Sequence, residues 1–181
     1  TKAVVAACIN TGEITGKQDY TGGIVGLMDL GRVGNCENYG AVFSSNGDYV
    51  GGIAGASWGS IRDSWSKCHL SGGDYVGGVA GLGATLVNCH TLVTIDEGFA
   101  YLGAVAGDAD SGGTVSGNTF TSESLGALDG ISYAGKAEPV DFDALCSTEG
   151  VPELFSQLEL TFVANGATVA VVPFRYGEGI E

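Results

Sequence analysis

The stretch Asp48-Tyr49-Val50-Gly51-Gly52-Ile53-Ala54-Gly55 recurs along the chain, and that recurrence restricts the fold more than any other feature. Asp19-Tyr20-Thr21-Gly22-Gly23-Ile24-Val25-Gly26 precedes it and Asp74-Tyr75-Val76-Gly77-Gly78-Val79-Ala80-Gly81 follows. Ala100-Tyr101-Leu102-Gly103-Ala104-Val105-Ala106-Gly107 is a decayed fourth copy. The four tyrosines are separated by 29, 26 and 26 residues. A fixed period of this size marks a stacked solenoid, because one such unit cannot bury its own apolar face.

Each unit holds two further segments. A cysteine, three residues, a glycine, any residue and an aliphatic give Cys8-Gly12-Ile14 and Cys36-Gly40-Val42. The third unit has Ser64, Cys68 and Leu70 in this segment, and the fourth has Cys89, Val93 and Ile95. An aliphatic also stands three residues before the cysteine position, as Val33, Ile61, Leu86 and Val115. Three short runs of alternating β-branched residues, with Gly, Asn, Asp or Ser between them, read as three strands per unit. No 3.6-residue apolar period runs through them, which excludes a helical repeat.

The expectation is an all-β fold, a triangular right-handed β-solenoid of about four coils of 26–29 residues. Matching residues stack about 4.8 Å apart, with Ile and Val ladders inside. Glycine serves where walls approach closely and where a corner needs positive φ. The recurring Asp19, Asp48 and Asp74 read as side-chain caps of their own turns. Insertions at 15–18 and 43–47 mark that corner as the most variable edge.

Residues 1–120 form the repeat region. Ala3, Val5 and Cys8 match Gly31, Val33 and Cys36, so the chain enters on the third strand of a coil. Either further repeats upstream or an excised fragment is expected from this. Residues 121–157 read as a closing turn around Asp129–Gly135, then a capping segment whose apolar residues seal the open end of the solenoid. Residues 158–181 carry a hairpin signal, two apolar runs flanking Asn165-Gly166 with a type I′ turn. The hairpin packs on the cap or begins a truncated surface repeat.

Bulk properties narrow the function. Net charge is −14 with only 7 lysines and arginines, which argues against nucleic acid and against an anionic membrane surface. With 44% apolar and 15% charged residues the chain is not disordered. No apolar run is long enough to insert into a membrane. The five cysteines, Cys8, Cys36, Cys68, Cys89 and Cys146, show no zinc-binding spacing.

Tyr49-Val50-Gly51-Gly52-Ile53-Ala54-Gly55 and Tyr75-Val76-Gly77-Gly78-Val79-Ala80-Gly81 closely resemble the GLUG repeat, a similarity covering residues 1 to about 120. That resemblance implies a large secreted bacterial surface protein, such as an adhesin or an immunoglobulin A metallopeptidase. Leu160-Thr161-Phe162-Val163-Ala164-Asn165-Gly166 through Val172-Pro173-Phe174-Arg175-Tyr176-Gly177-Glu178 looks like the opening of an internalin-type B-repeat, of which two strands are present. Both resemblances imply an extracellular, cell-surface or secreted setting with neighbouring domains in the same chain. Neither carries catalytic residues that transfer to this sequence.

Candidate chemistry is sparse. His-Glu-any-any-His is absent, so the sequence has no zinc-peptidase motif. Cys89 and His90 are adjacent in a strand and point to opposite faces, which argues against a dyad. The cysteines read mainly as small buried hydrophobes, although Cys8 and Cys36, one coil apart, approach bonding distance. Asp108-Ala109-Asp110-Ser111-Gly112-Gly113 resembles half of a Ca²⁺ loop, with Asp108 and Asp110 as ligands, but lacks the distal glutamate; an ordinary loop is the simpler reading. Trp58 and Trp65 fall near one corner, with Tyr39 in the preceding repeat. Trp65 shares its register with Glu37 and His90 and is expected to face outward into solvent, where it stacks a sugar or covers a neighbouring loop.

The reading is a non-enzymatic module of a bacterial surface protein, a rigid spacer with a face for a host glycan or matrix protein and no required cofactor. A carbohydrate-active β-helix enzyme, or an ancillary region of a surface peptidase, is the alternative. An outward cleft with two close carboxylates beside aromatics would favour the enzyme.

Overall fold

The structure is a computed structural model that describes residues 2–129 and 132–178. The chain winds as a β-solenoid of about four turns whose coils pair in parallel on three walls. Wall A contains Ala3–Ala6, Val25–Met28 with Gly31–Gly34, Ala54–Arg62, Ala80–Val87 and Ala106–Ser116. Wall B contains Ile9–Asn10 with Ile14–Gly16, Glu37–Asn38 with Val42–Ser44, Trp65–Ser71, His90–Glu97, Asn118–Phe120 and Ala137–Pro139. Wall C is narrow and contains Thr21–Gly22, Val50–Gly51, Val76–Gly77 and Leu102–Gly103.

Register follows the repeat. Val5, Val33, Ile61, Leu86 and Val115 stack as one inward ladder on wall A. Ile53, Val79 and Val105 join them in the main core, and a second cluster gathers Val42, Val50, Leu70 and Val76. Narrow wall C brings backbone so close to wall A that a Cβ at Gly51 would overlap the Ala54 carbonyl. These glycines answer proximity rather than handedness.

The corners are built differently from the expectation. Left-handed backbone at the B–C corner falls on the tyrosines, with φ of 65°, 61°, 59° and 56° at Tyr20, Tyr49, Tyr75 and Tyr101. At the A–B corner it falls on Ala7, Asn35, Asp63, Asn88 and Gly117. Left-handed backbone costs a non-glycine residue about 1–2 kcal/mol. The tyrosines offset that cost by stacking in one column, with centroids 5.0, 4.7 and 4.4 Å apart and planes within 16° of parallel. Asp19 and Asp48 do not cap their own turns. Their Oδ1 atoms accept the backbone N–H of Asp48 (2.9 Å) and Asp74 (2.8 Å) in the next coil, so each aspartate clamps one coil to its neighbour.

The C-terminal closure also departs from the expectation, in two parts. Residues 120–129 and 132–139 seal the end. The Gly126 and Ala127 carbonyls accept from Ala104, Val105 and Ala106, and Ala137–Pro139 pairs with Asn118–Phe120. Phe120, Ala127, Leu128 and Ala137 are thereby buried in the main core. Of the expected closing turn Asp129–Gly135, Gly130 and Ile131 lie outside the described residues. Residues 140–157 do not seal the end; they fold back over the outer side of wall B. Asp141 caps the helix Phe142–Cys146 by accepting from the Ala144 N–H, and a short helix Glu153–Ser156 follows. Gln157–Ala164 and Ala167–Arg175 then form the expected hairpin, with φ of 52° and 76° at Asn165 and Gly166, both positive as a type I′ turn requires.

Replacing a tyrosine separates ring stacking from backbone strain. Tyr49→Ala is expected to destabilise by about 1–3 kcal/mol, from two lost stacked pairs. Tyr49→Gly is expected to cost about 1 kcal/mol less, since glycine removes the left-handed penalty. Urea unfolding of the two variants checks the order; equal losses would show that the ring alone matters.

Candidate functional site

The outward column of wall B runs Ile9, Glu37, Trp65, His90 and Thr119. Trp65 has the register expected of it, on the side away from the main core, but not the expected exposure. It is only 5% exposed because residues 140–157 lie over it. Its ring meets Phe155 edge-on at 4.8 Å and His90 at 4.2 Å, in a cluster with Leu145. Lys67 fastens the cover by donating from Nζ to the carbonyls of Phe155 (3.1 Å) and Gln157 (2.6 Å). Tyr39 is half-buried at the rim of the same cluster, its hydroxyl donating to Glu37 Oε2 at 2.6 Å.

Trp58 lies elsewhere. It belongs to wall A, at a bulge between Ser57 and Ser60, and is 44% exposed. Leu27 and Leu30 on the preceding coil are exposed too, so this wall presents aromatic and apolar surface to solvent. The expected Trp58–Trp65–Tyr39 corner is therefore two places, one covered and one open.

Buried chemistry follows its environment. His90 lies under the cover with Nδ1 2.6 Å from Thr119 Oγ1, and burial lowers its pKa to about 4, against a small opposing pull from Asp63. Cys89 faces the main core, where burial pushes its thiol up to about 12. A thiolate–imidazolium pair needs the opposite shifts and a shared face. Cys68 is likewise pushed up to about 11 by burial. All five cysteines are free thiols.

Asp108 and Asp110 lie in the long strand Ala106–Ser116, not in a loop. The strand bulges at this point, where Gly83 and Thr85 pair with Ala109 and Thr114. Asp108 Oδ1 already accepts the Ala109 N–H at 2.7 Å. Among the described residues no group of three or more His, Cys, Asp or Glu is placed to hold a metal ion.

The corner between walls B and C holds a feature that single-residue reading missed. A groove of about 790 Å³ runs along it, lined by Ser44, Asn46, Asp48, Asp74, Glu97 and Phe99 among others. Phe99 is 88% exposed at its lip. The insertions at this corner were the visible signal. The juxtaposition of three acids from three coils depends on stacking register. Family models, curated proteins and solved structures were all searched, and none matches the chain.

Two measurements probe the cover. In a Trp58→Phe background, Phe155→Ala is expected to cost the cover about 3–5 kcal/mol and shift Trp65 emission to the red. Unchanged emission would place Trp65 under something other than this segment. For His90 the folded pKa lies below the ordinary 6.5. The unfolded chain thus binds the proton first, so stability is full above about 6.5 and falls as pH drops towards 4. His90→Gln is expected to flatten that part of the wild-type curve, as read from denaturation midpoints across this window.

Proposed function

We propose that this chain is a non-catalytic module of a large bacterial surface protein, a rigid spacer with a lateral face for a host glycan or matrix protein. The inter-coil clamp carries this reading. Asp19 and Asp48, two of the three acids that recur in register, are occupied with the backbone of the next coil, beside an unbroken tyrosine stack. Bending such a rod breaks hydrogen bonds on three walls together with the side-chain columns, which favours stiffness along the axis. The likeness of the repeat to GLUG sequences supports the extracellular setting, and neighbouring domains of the same chain are its natural partners. The reading needs no cofactor, and Ca²⁺ at Asp108 and Asp110 would have to displace an existing hydrogen bond.

The adhesive surface in this reading is wall A around Trp58, since an exposed ring beside aliphatic side chains suits the apolar face of a sugar. A glycan-array and matrix-protein screen tests it, run with and without Ca²⁺. Trp58→Ala is expected to abolish binding with circular dichroism unchanged, while Trp65→Ala reports only on the cover. Binding that survives Trp58→Ala would move the site off wall A.

The groove at Asp48, Asp74, Glu97 and Phe99 favours a second reading, a carbohydrate-active β-helix enzyme. General acid–base chemistry needs two carboxylates in unlike environments. Asp48 is engaged by the Asp74 N–H, and Glu97 belongs to a different strand end. Depolymerisation of a polysaccharide panel, lost in Asp74→Asn and Glu97→Gln, would establish this reading and overturn the first.

A further inference from the structure

Cys8 and Cys36 occupy matching positions in adjacent coils. Ala6 pairs with Gly34 and Ile9 with Glu37, so the two cysteines between them are opposite each other. The Glu37 N–H donates to the Cys8 carbonyl at 2.8 Å, which fixes the backbones beside them. Neighbouring strands lie about 4.8 Å apart. That falls within the Cα separation a disulfide spans, about 4.4–6.8 Å. The side chains point the same way, each thiol towards the carbonyl two residues earlier, Ala6 at 3.5 Å and Gly34 at 3.3 Å.

No other cysteine has such a partner. Cys89 has the same orientation towards Val87, but its column neighbours are Ser64 and Asn118. Asn118 Oδ1 accepts the Cys89 N–H at 2.9 Å, and Ser64 Oγ accepts that of Cys36 at 3.2 Å. Cys68 is on wall B among Val42, Leu70 and Val93, and Cys146 ends the helix of the cover. The ladder is interrupted after its second member, which leaves one thiol pair.

We propose that Cys8 and Cys36 form a disulfide site, closed by exchange with a low-molecular-weight disulfide such as oxidised glutathione, and that the bond ties the first coil to the second. The exchange runs in two steps and opens at Cys8. The Cys8 thiol loses its proton to solvent and attacks the glutathione disulfide. A mixed disulfide forms and one glutathione thiolate leaves. The Cys36 thiol then loses its proton and attacks Cys8 Sγ, releasing the second glutathione. Two protein thiols are oxidised and one glutathione disulfide is reduced to two thiols. Burial raises the pKa of Cys36, against a lowering contact from the Cys8 backbone, so Cys36 is the resolving and not the initiating thiol.

The consequence is local. The first-coil strands Ala3–Ala6, Ile9–Asn10 and Ile14–Gly16 pair with the second coil. A covalent tie at Cys8 keeps these amides from opening independently.

The test is oxidation of the whole chain by glutathione disulfide, followed by intact-mass analysis and peptide mapping. The expected product has lost two hydrogens, carries no glutathione and yields a Cys8–Cys36 cross-linked peptide. Cys8→Ser and Cys36→Ser abolish it, whereas Cys89→Ser leaves it unchanged. Hydrogen exchange of residues 3–16 is expected to slow by about tenfold or more on oxidation. A stable single glutathione adduct at Cys8, or a Cys8-linked dimer without the internal bond, would overturn the proposal. So would a cross-link that leaves first-coil exchange unaltered.

Discussion

Parallel stacking in strict register, with each coil turned by left-handed residues at fixed corners, is the constraint on which the rest of this molecule depends. A flat coil cannot turn back on itself without a sharp change of direction. In this chain the change is made at the tyrosines and at the Ala7, Asn35, Asp63, Asn88 column. Asn and Asp tolerate this conformation through short polar side chains. Tyr does not, and the structure offsets the strain by giving each ring a neighbour at 4.4–5.0 Å. The aspartates preceding Tyr20 and Tyr49 each add a bond to the next coil. Corner, stack and clamp are thus one device, repeated.

The same device limits what the tyrosine column can do. Tyr49 and Tyr75 are stacked on both faces, which uses up the surfaces on which a sugar would lie. Recognition through aromatic faces therefore falls to rings other than these two. Trp65 is removed from consideration by Phe155, Leu145 and the rest of the cover. Trp58, raised on a bulge of wall A, and Phe99, at the lip of the acidic groove, remain accessible.

The C-terminal hairpin shows a different balance. Leu158, Leu160 and Phe162 pair with Phe174, Val172 and Ala170, which puts six apolar side chains on one face. Phe162 is 49% exposed and Val172 38%, so little of that face is covered among the described residues. A two-stranded ribbon is marginal by itself. Its root is anchored where Arg175 meets Glu153 and Lys67 holds the Gln157 carbonyl.

Period and pattern in the sequence determined the coil count, the three strands per coil, the inward Val5–Val33–Ile61–Leu86–Val115 ladder and the hairpin turn. Each follows from spacing along the chain, because a solenoid converts sequence period directly into spatial register. The opposite facing of Cys89 and His90 was legible for the same reason. The tertiary structure alone decided where the irregular segment 140–157 would lie, since no period links it to wall B. That placement buried Trp65 and displaced the His90 pKa. It also decided that Asp19 and Asp48 bond across coils, not within turns, and that Asp48, Asp74 and Glu97 share one groove. Those outcomes depend on distances between coils and on a non-repeating segment finding an apolar surface, which residue spacing does not encode.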